Sequence, residues 1–402
     1  MAEGFAKKVL DVEKEMISWR RHLHEYPELS FREFRTTEFI ETKLKEFGGY
    51  TITRPCRTGV VASVKGTKPG KKHSVGIRAD IDALPIREET GLPYASRTEG
   101  VMHACGHDGH TAILLAVAKI LAGSRESFCG EVRLLFQEAE ELPPGGAADL
   151  KKAGADKGLD AMLGLHLSSA FDTAVFGIRS GILTAAVDRF DIEVCGKGGH
   201  CAYPELCADP VVTAAEIITG IQTVVSRNIR ATDPAVISVC EVRGGTAYNI
   251  IPDTVSLTAS VRTFGEKTRA LVEKEVKRKA KETAKANGCT AKVKWEAGYP
   301  SVVNDEAMTE TARKVIGVRF GEKHELKIDP IMPGEDFSYF TDDKPGFFAE
   351  LGTRNIKKHT DMPHHNSCYR MDETALKFGV QYFTDMVYTL LDGTGKNMPA
   401  DR

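Results

Sequence analysis

Apolar residues near the start of the chain recur at helical spacing. Phe5, Val9, Val12, Met16, Trp19 and Leu23 share one face of a 3.6-residue period and predict an amphipathic helix over 5–24 that ends before Pro27. A second helix is predicted over 31–47, where Phe34, Phe39, Ile40, Leu44 and Phe47 are apolar and Gly48-Gly49 supplies the stop. The pattern then changes to strands over 59–64 and 74–79, separated by the polar turn 67–72, and the second strand ends at Asp80. Helix returns over 111–121. A strand over 131–136 runs into Gln137-Glu138-Ala139-Glu140-Glu141, and another over 161–165 runs into His166. Three predicted strands thus end in an acid or a histidine. In open α/β sheets, reactive groups collect beyond the carboxyl ends of strands, so this placement suits a composite active site.

From residue 186 the order is strand 188–194, helix 210–225, strands 235–242 and 254–262, helix 267–286 and strand 290–295. This β-α-β-β-α-β succession is the ferredoxin-like pattern. It is read as an inserted domain, 186–298. After Gly298-Tyr299-Pro300 the chain is expected to rejoin the first domain, so that 1–185 and 299–402 form one catalytic, metal-binding domain. A length of 402 residues accommodates two cores.

Composition narrows the function classes. With 42% hydrophobic and 27% charged residues and a net charge of -2, nothing favours a polyanion surface, so nucleic acid is not an expected partner. The longest strongly apolar stretch, 112–121, is interrupted by Lys119 and falls far short of the roughly 20 residues that span a membrane. The N-terminus lacks a signal-peptide core, and the nine cysteines are scattered without a disulfide or four-cysteine zinc spacing. A cytoplasmic enzyme without a membrane partner is the expectation.

The segment His103-Ala104-Cys105-Gly106-His107-Asp108-Gly109-His110 concentrates metal-capable side chains. A thiolate and an imidazole two residues apart can reach one ion, with Gly106 allowing the backbone to fold tightly between them. A lone Cys-x-His is more often a buried thiol and a structural histidine. Here Asp80 and Asp82 precede the pair and His103 and His110 flank it, too many costly polar groups for a core without a cation. Asp80 and Asp82 are candidates for orienting a ligating imidazole, or for capping or salt-bridge roles; His103 and His110 are left out of the ligand set. Glu140-Glu141 would be an ordinary solvated pair elsewhere. After a buried-type strand, however, neighbouring side chains point to opposite sides, so one carboxylate can bind metal while the other faces a reacting water. His166 and the His364-His365 pair supply further imidazoles.

Seven segments now fall in order: Arg78 to Pro85, Met102 to His110, Glu138 to Glu141, Gly164-Leu165-His166, Gly196 to Pro204, Gly244 to Pro252 and Gly334-Glu335-Asp336-Phe337. Over roughly 19–373 the chain resembles the aminoacylase and carboxypeptidase superfamily of metallo-amidohydrolases, in the branch of hippurate and auxin-amino-acid-conjugate hydrolases. The resemblance implies an α/β fold, a metallopeptidase-like mixed-sheet catalytic domain carrying the ferredoxin-like insert as lid and dimerisation domain. It also implies Cys105, His107, Glu141, His166 and His365 as ligands of two divalent ions per subunit, and Glu140 as general base. His365 is preferred over His364 because the family pattern has one histidine followed closely by Asn366 and an aromatic such as Tyr369. His200, in Gly198-Gly199-His200, is implied as an oxyanion donor, commonly acting in the partner subunit's site, and Asn249 as a substrate contact. Two departures stand out: Pro204-Glu205 where the family often has Pro-His, and Ser367 where it usually has proline.

The expected reaction is hydrolysis of the amide of an N-acyl or N-aroyl amino acid by a homodimer or higher homo-oligomer. Zinc, manganese, cobalt and nickel all suit the mixed donors. A dipeptidase or carboxypeptidase on the same scaffold, or a non-catalytic metal-binding protein, are the alternatives.

Overall fold

The computed structural model describes residues 6–392; Phe5 of the first predicted helix and the ends of the predicted catalytic domain lie outside them. Two compact units are present. Residues 6–183, 303–329 and 336–392 form the first, and Thr184–Val302 with Pro330–Glu335 the second.

In the first unit, helices α1 (Lys7–Glu25) and α2 (Phe34–Phe47) precede strands β1 (Thr51–Thr53), β2 (Val60–Lys65) and β3 (Ser74–Asp80). Then come α3 (His107–Ala122), β4 (Glu131–Gln137), α4 (Gly146–Lys152), β5 (Ala161–Asp172), β6 (Phe176–Ile178) and β7 (Gly181–Ile182). The second unit holds β8 (Ala186–Cys195), β9 (Gly199–His200), α5 (Pro210–Thr223), β10 (Ala235–Gly244), β11 (Ile250–Ile251), β12 (Thr254–Thr263), α6 (Glu266–Ala286) and β13 (Thr290–Ala297). The chain returns to the first unit with β14 (Val303–Asn304), α7 (Glu306–Phe320), β15 (Glu325–Lys327), β16 (Gly346–Arg354) and α8 (Leu376–Leu391).

The eight-stranded sheet of the first unit runs β1-β2-β4-β3-β5-β16-β6-β15. Its centre, β4-β3-β5-β16, is parallel, while β1 and β2 pair antiparallel at one side and β6 pairs antiparallel with β16 at the other. The result is the mixed α/β sheet that the sequence predicts. Nearly every residue of α3 is buried, its first turn carrying polar His107, Asp108, His110 and Thr111 and the remainder mostly apolar, and it packs against both α1 and α8.

Two of the boundaries that differ from the sequence reading matter to the site. The third helix begins at His107 rather than 111, because Gly106 turns the chain with φ +98° and His107 already carries helical backbone. Strand β5 does not stop at His166. It continues to Asp172 because β16 keeps pairing with it, Glu350 opposite His166 and Leu351 opposite Leu167.

The second unit has the ferredoxin-like order β10-β12-β8-β13, all antiparallel. Its own core joins Phe190, Ile192 and Leu257 from the sheet to Ile217, Ile221, Val272 and Val276 from α5 and α6. Among the described residues, no helix is long and apolar enough to cross a membrane.

Candidate metal centre

Four stretches of the first unit bring their polar side chains to one place. Cys105 stands just before α3 and His107 is its first residue; a side chain at Gly106 would put its Cβ 3.1 Å from Tyr369 Oη, so the turn between them takes only glycine without strain. Glu140 and Glu141 follow β4. His166 lies within β5, and the loop after β16 is pinned beside the cysteine by His365 N–H donating to Ala104 O at 2.8 Å.

Two overlapping donor sets share the cysteine. Cys105 Sγ, His107 and Glu141 offer atoms within 4.8 Å of one another, and so do Cys105 Sγ, His166 and His364. Within them Cys105 Sγ is 3.4 Å from His166 Nε2 and 3.6 Å from His364 Nδ1, while His107 Nε2 is 3.9 Å from Glu141 Oε1. His365 Nε2 stands 3.1 Å from the same Glu141 oxygen. The His107 Nε2 atom is buried without a hydrogen-bond partner. A buried nitrogen left without a partner is costly whether it carries a proton or a lone pair, and a cation that displaces the proton and is held jointly with the thiolate and carboxylate would satisfy it. Soft sulfur with imidazole and carboxylate is a donor set for zinc-like divalent ions, so the residues present fit the metal pair.

Hydrogen bonds fix which nitrogen of each imidazole is open. His107 Nδ1–H donates to Asp82 O at 3.0 Å and Asp82 Oδ1 at 3.1 Å, leaving Nε2 as the ligating atom. The other Asp82 oxygen accepts from Glu141 N–H at 3.0 Å and from Ser30 Oγ at 2.7 Å. One buried carboxylate therefore holds both a histidine and the backbone of a glutamate of the same donor set. Asp80 Oδ1 accepts from His110 Nδ1 at 2.6 Å, and His110 Nε2 accepts from Leu167 N–H at 2.8 Å. With both nitrogens used, His110 is not a ligand as placed. His103 is buried and belongs to no metal-capable group among the described residues.

His364 was passed over in the sequence, and its position explains a different part. Its Nε2 accepts from Ser169 N–H at 3.1 Å, which requires the proton on Nδ1, the atom facing Cys105 Sγ. His364 is thus oriented to donate to sulfur. Asp336, within the Gly334-Glu335-Asp336-Phe337 motif, also gains a position: it accepts from Arg78 Nη2 at 2.6 Å, and Arg78 Nη1 pairs with Asp80 Oδ2 at 2.8 Å. No local signal joins Asp336 to Arg78 and Asp80, since it lies 258 residues beyond Arg78.

Electrostatics follow from the crowding. Burial alone would push His107 down, but Asp80, Asp82 and Glu141 overcome it and hold the imidazolium up to about 10. Burial and the surrounding Glu141, Glu140 and Asp80 carboxylates raise the Cys105 thiol well above its usual range. Burial keeps His166 well below the histidine range and His364 down to about 3, so both are neutral. A bound cation inverts this balance for the thiol and for His107.

In the second unit, His200 and Asn249 are brought together by the short ladder in which His200 pairs with Ile250. His200 is exposed, and its Nδ1 accepts from Ala202 N–H at 3.1 Å, so Nε2 carries the outward proton. Asn249 is half-buried and its carbonyl accepts from Cys201 N–H at 3.2 Å.

A mixed sheet beside which thiol, imidazole and carboxylate groups gather, together with a ferredoxin-like unit, is the frame of a metallopeptidase-like hydrolase. A profile of the peptidase family M20/M25/M40 matches residues 76–389. The chain is 40% identical over 395 residues to the N-acetyl-L-cysteine deacetylase of Bacillus subtilis (strain 168), covering 97% of this chain and 91% of that protein. It is 44% identical over 302 residues to the N-acyl-L-amino acid amidohydrolase of Geobacillus stearothermophilus, covering 75% and 81%. The crystal structure of the Bacillus subtilis YXEP protein, described as a dinuclear metal binding peptidase, aligns with a TM-score of 0.83 at 35% identity, covering 95% of this chain and 99% of that one. The chain belongs to the M20/M25/M40 peptidase family, and the resemblance read from its motifs is borne out.

Proposed function

We propose that the protein hydrolyses the amide of N-acyl or N-aroyl amino acids, releasing a carboxylic acid and a free amino acid. The observation that carries this reading is the Cys105 sulfur within reach of both the His107 and Glu141 donors and of His166 Nε2 at 3.4 Å, with the buried Glu140 beside Glu141. Cys105, His107, Glu141, His166 and His365 are assigned to hold two divalent ions, zinc, manganese, cobalt or nickel. Bound there, the ions would supply charge that lowers the pKa of a water toward about 7 and polarises the scissile carbonyl.

The protein's own groups do the rest. Glu140 takes the proton of the attacking water and later delivers it to the leaving amine, splitting one difficult transfer into two short ones. Asp82 keeps His107 in the tautomer that exposes Nε2, and His364 donates to the Cys105 sulfur. His200 presents Nε2–H to the oxyanion and Asn249 holds the substrate, with the ferredoxin-like insert, 186–298, as lid and dimer contact of a homodimer. The names of the relatives support the N-acyl amino acid class.

The test compares release of free amine from N-acyl amino acids and from dipeptides with added metal. Glu140→Gln is expected to keep its metal and lose at least about 100-fold in turnover, whereas Glu141→Ala loses metal. The reverse pattern would exchange the two roles. Turnover of dipeptides alone would move the protein to the peptidase side of the family.

A further inference from the structure

Behind the proposed base lies a second carboxylate cluster that the reaction does not use. Glu33, Thr58 and Glu138 are all buried, at 0%, 1% and 2% exposure. Thr58 Oγ1 is 2.6 Å from Glu33 Oε2 and also in hydrogen-bond contact with Glu138 Oε2. A hydroxyl has one hydrogen and can donate to only one of them. The other contact would set lone pairs of two oxygens against each other unless that acid carries a proton.

The remaining bonds say which acid it is. Glu138 Oε2 also accepts from Thr58 N–H at 2.6 Å, so that oxygen already faces a second hydrogen of the same residue. Glu33 Oε1 accepts from Phe31 N–H at 3.0 Å and from Ala139 N–H at 2.9 Å, which leaves Oε2 for the proton. The relay then runs from Glu33 Oε2–H to the Thr58 hydroxyl to the Glu138 carboxylate, with every hydrogen used. Burial pushes the Glu33 carboxyl up to about 7, and the facing Asp82 charge adds to the rise against the pull of its hydrogen bonds. Thr58 reaches this point because the next residue, Gly59, has φ +77° and passes so close to β4 that a Cβ there would lie 2.5 Å from Phe136 O.

What the cluster grips is Ala139, a non-glycine residue with φ +51° immediately before Glu140. Its N–H is held by Glu33 and its carbonyl accepts from Gly146 N–H at 3.0 Å. Left-handed backbone at alanine is unfavourable by itself and persists only where its surroundings enforce it. We propose that Glu33 is a positioning residue: as a neutral acid locked through Thr58 to Glu138, it clamps Ala139 in the left-handed turn that aims Glu140 and Glu141 from the end of β4. The proposal rests on the reading of those two glutamates as base and ligand.

Glutamine reproduces the neutral acid, since its oxygen can accept both backbone N–H groups while its amide donates to Thr58. In the 402-residue chain with saturating metal, E33Q is expected to keep kcat within about 3-fold, while E33A loses at least about 10-fold with KM changed far less. Replacing Ala139 by glycine in the E33A background should recover part of kcat, because glycine enters the turn without the clamp. Loss of folding stability alone would give no such recovery. Should E33A not fold, T58V is expected to show the kcat loss and T58S to restore it. Infrared difference spectra between wild type and E33Q should contain the C=O band of one neutral carboxylic acid. An E33Q as impaired as E33A, no neutral-acid band, or kcat unchanged in both E33A and T58V would each overturn the proposal. The infrared band is independent of turnover, so an active E140Q would refute the assignment of the base while leaving the protonated clamp separately readable.

Discussion

Replacing Asp82 by asparagine tests the arrangement at the point where two proposed ligands share one support. The carboxylate is 1% exposed, and its two oxygens accept three bonds: from His107 Nδ1 at 3.1 Å, Glu141 N at 3.0 Å and Ser30 Oγ at 2.7 Å. Burial alone would raise its pKa, but the bonds and charge of His107, with Glu141 and Ser30, hold it below the ordinary range. The amide nitrogen of asparagine must face either His107 Nδ1–H or the Glu141 and Ser30 donors, so one side always sets donor against donor. A hydrogen bond to a charged group contributes about 1.5–3 kcal/mol, and removal of such an outer partner typically weakens metal binding about 10–100-fold. That range corresponds to about 1.4–2.8 kcal/mol. A second effect opposes it. Asp82 also helps hold the His107 imidazolium up to about 10, so its loss lightens the competition between proton and metal at neutral pH. Chelator competition across a pH series separates the two: Asp82→Asn should bind metal about 10–100-fold more weakly at alkaline pH, with the gap narrowing toward neutrality. Equal affinity at alkaline pH would refute the claim that Asp82 orients His107 and Glu141.

Three further outcomes follow from the same geometry. Metal uptake near neutral pH should release about two protons, one from His107 and one from Cys105, because both are held above the ordinary range in the metal-free site; calorimetry in buffers of different ionisation enthalpy counts them, and release of less than one would contradict the electrostatic reading. Asp108 pairs at 2.9 Å with Arg20 Nε and at 2.7 Å with His24 Nδ1, all three groups being at most 1% exposed, so Asp108→Ala should cost about 3 kcal/mol in urea unfolding by leaving Arg20 and His24 to their longer 3.3 Å contacts with Glu373 and Glu88. Stability near wild type would mean that the cluster rearranges. Mixing inactive His200→Ala with inactive Glu140→Gln under subunit exchange should recover activity, since a hybrid of the proposed homodimer would contain one intact shared site; exchange without recovery would confine His200 to its own chain or remove it from the reaction.

What the sequence determined by itself is what local spacing can carry. The 3.6-residue pattern from Val9 to Leu23 became α1, the alternation around residue 190 became β8, and Cys105-Gly106-His107 placed a thiol and an imidazole one tight turn apart. Such features depend on neighbours within a few residues, whose side chains reach one another whatever the rest of the chain does. Tertiary structure decided the remainder. His166 reads as the end of a strand until β16, almost two hundred residues later, continues the pairing past it. The contrast between His364 and His365 depends on which backbone N–H meets an imidazole, and Ser169 supplies it. Glu33 looks like an ordinary helix-start acid, and only the meeting of residues 33, 58 and 138 in one buried spot forces a proton onto it. Periodicity reports which face of an element is buried. It does not report which distant hydrogen-bond donor or charge shares that burial, and in a water-poor interior that partner fixes tautomer, charge state and ligand role.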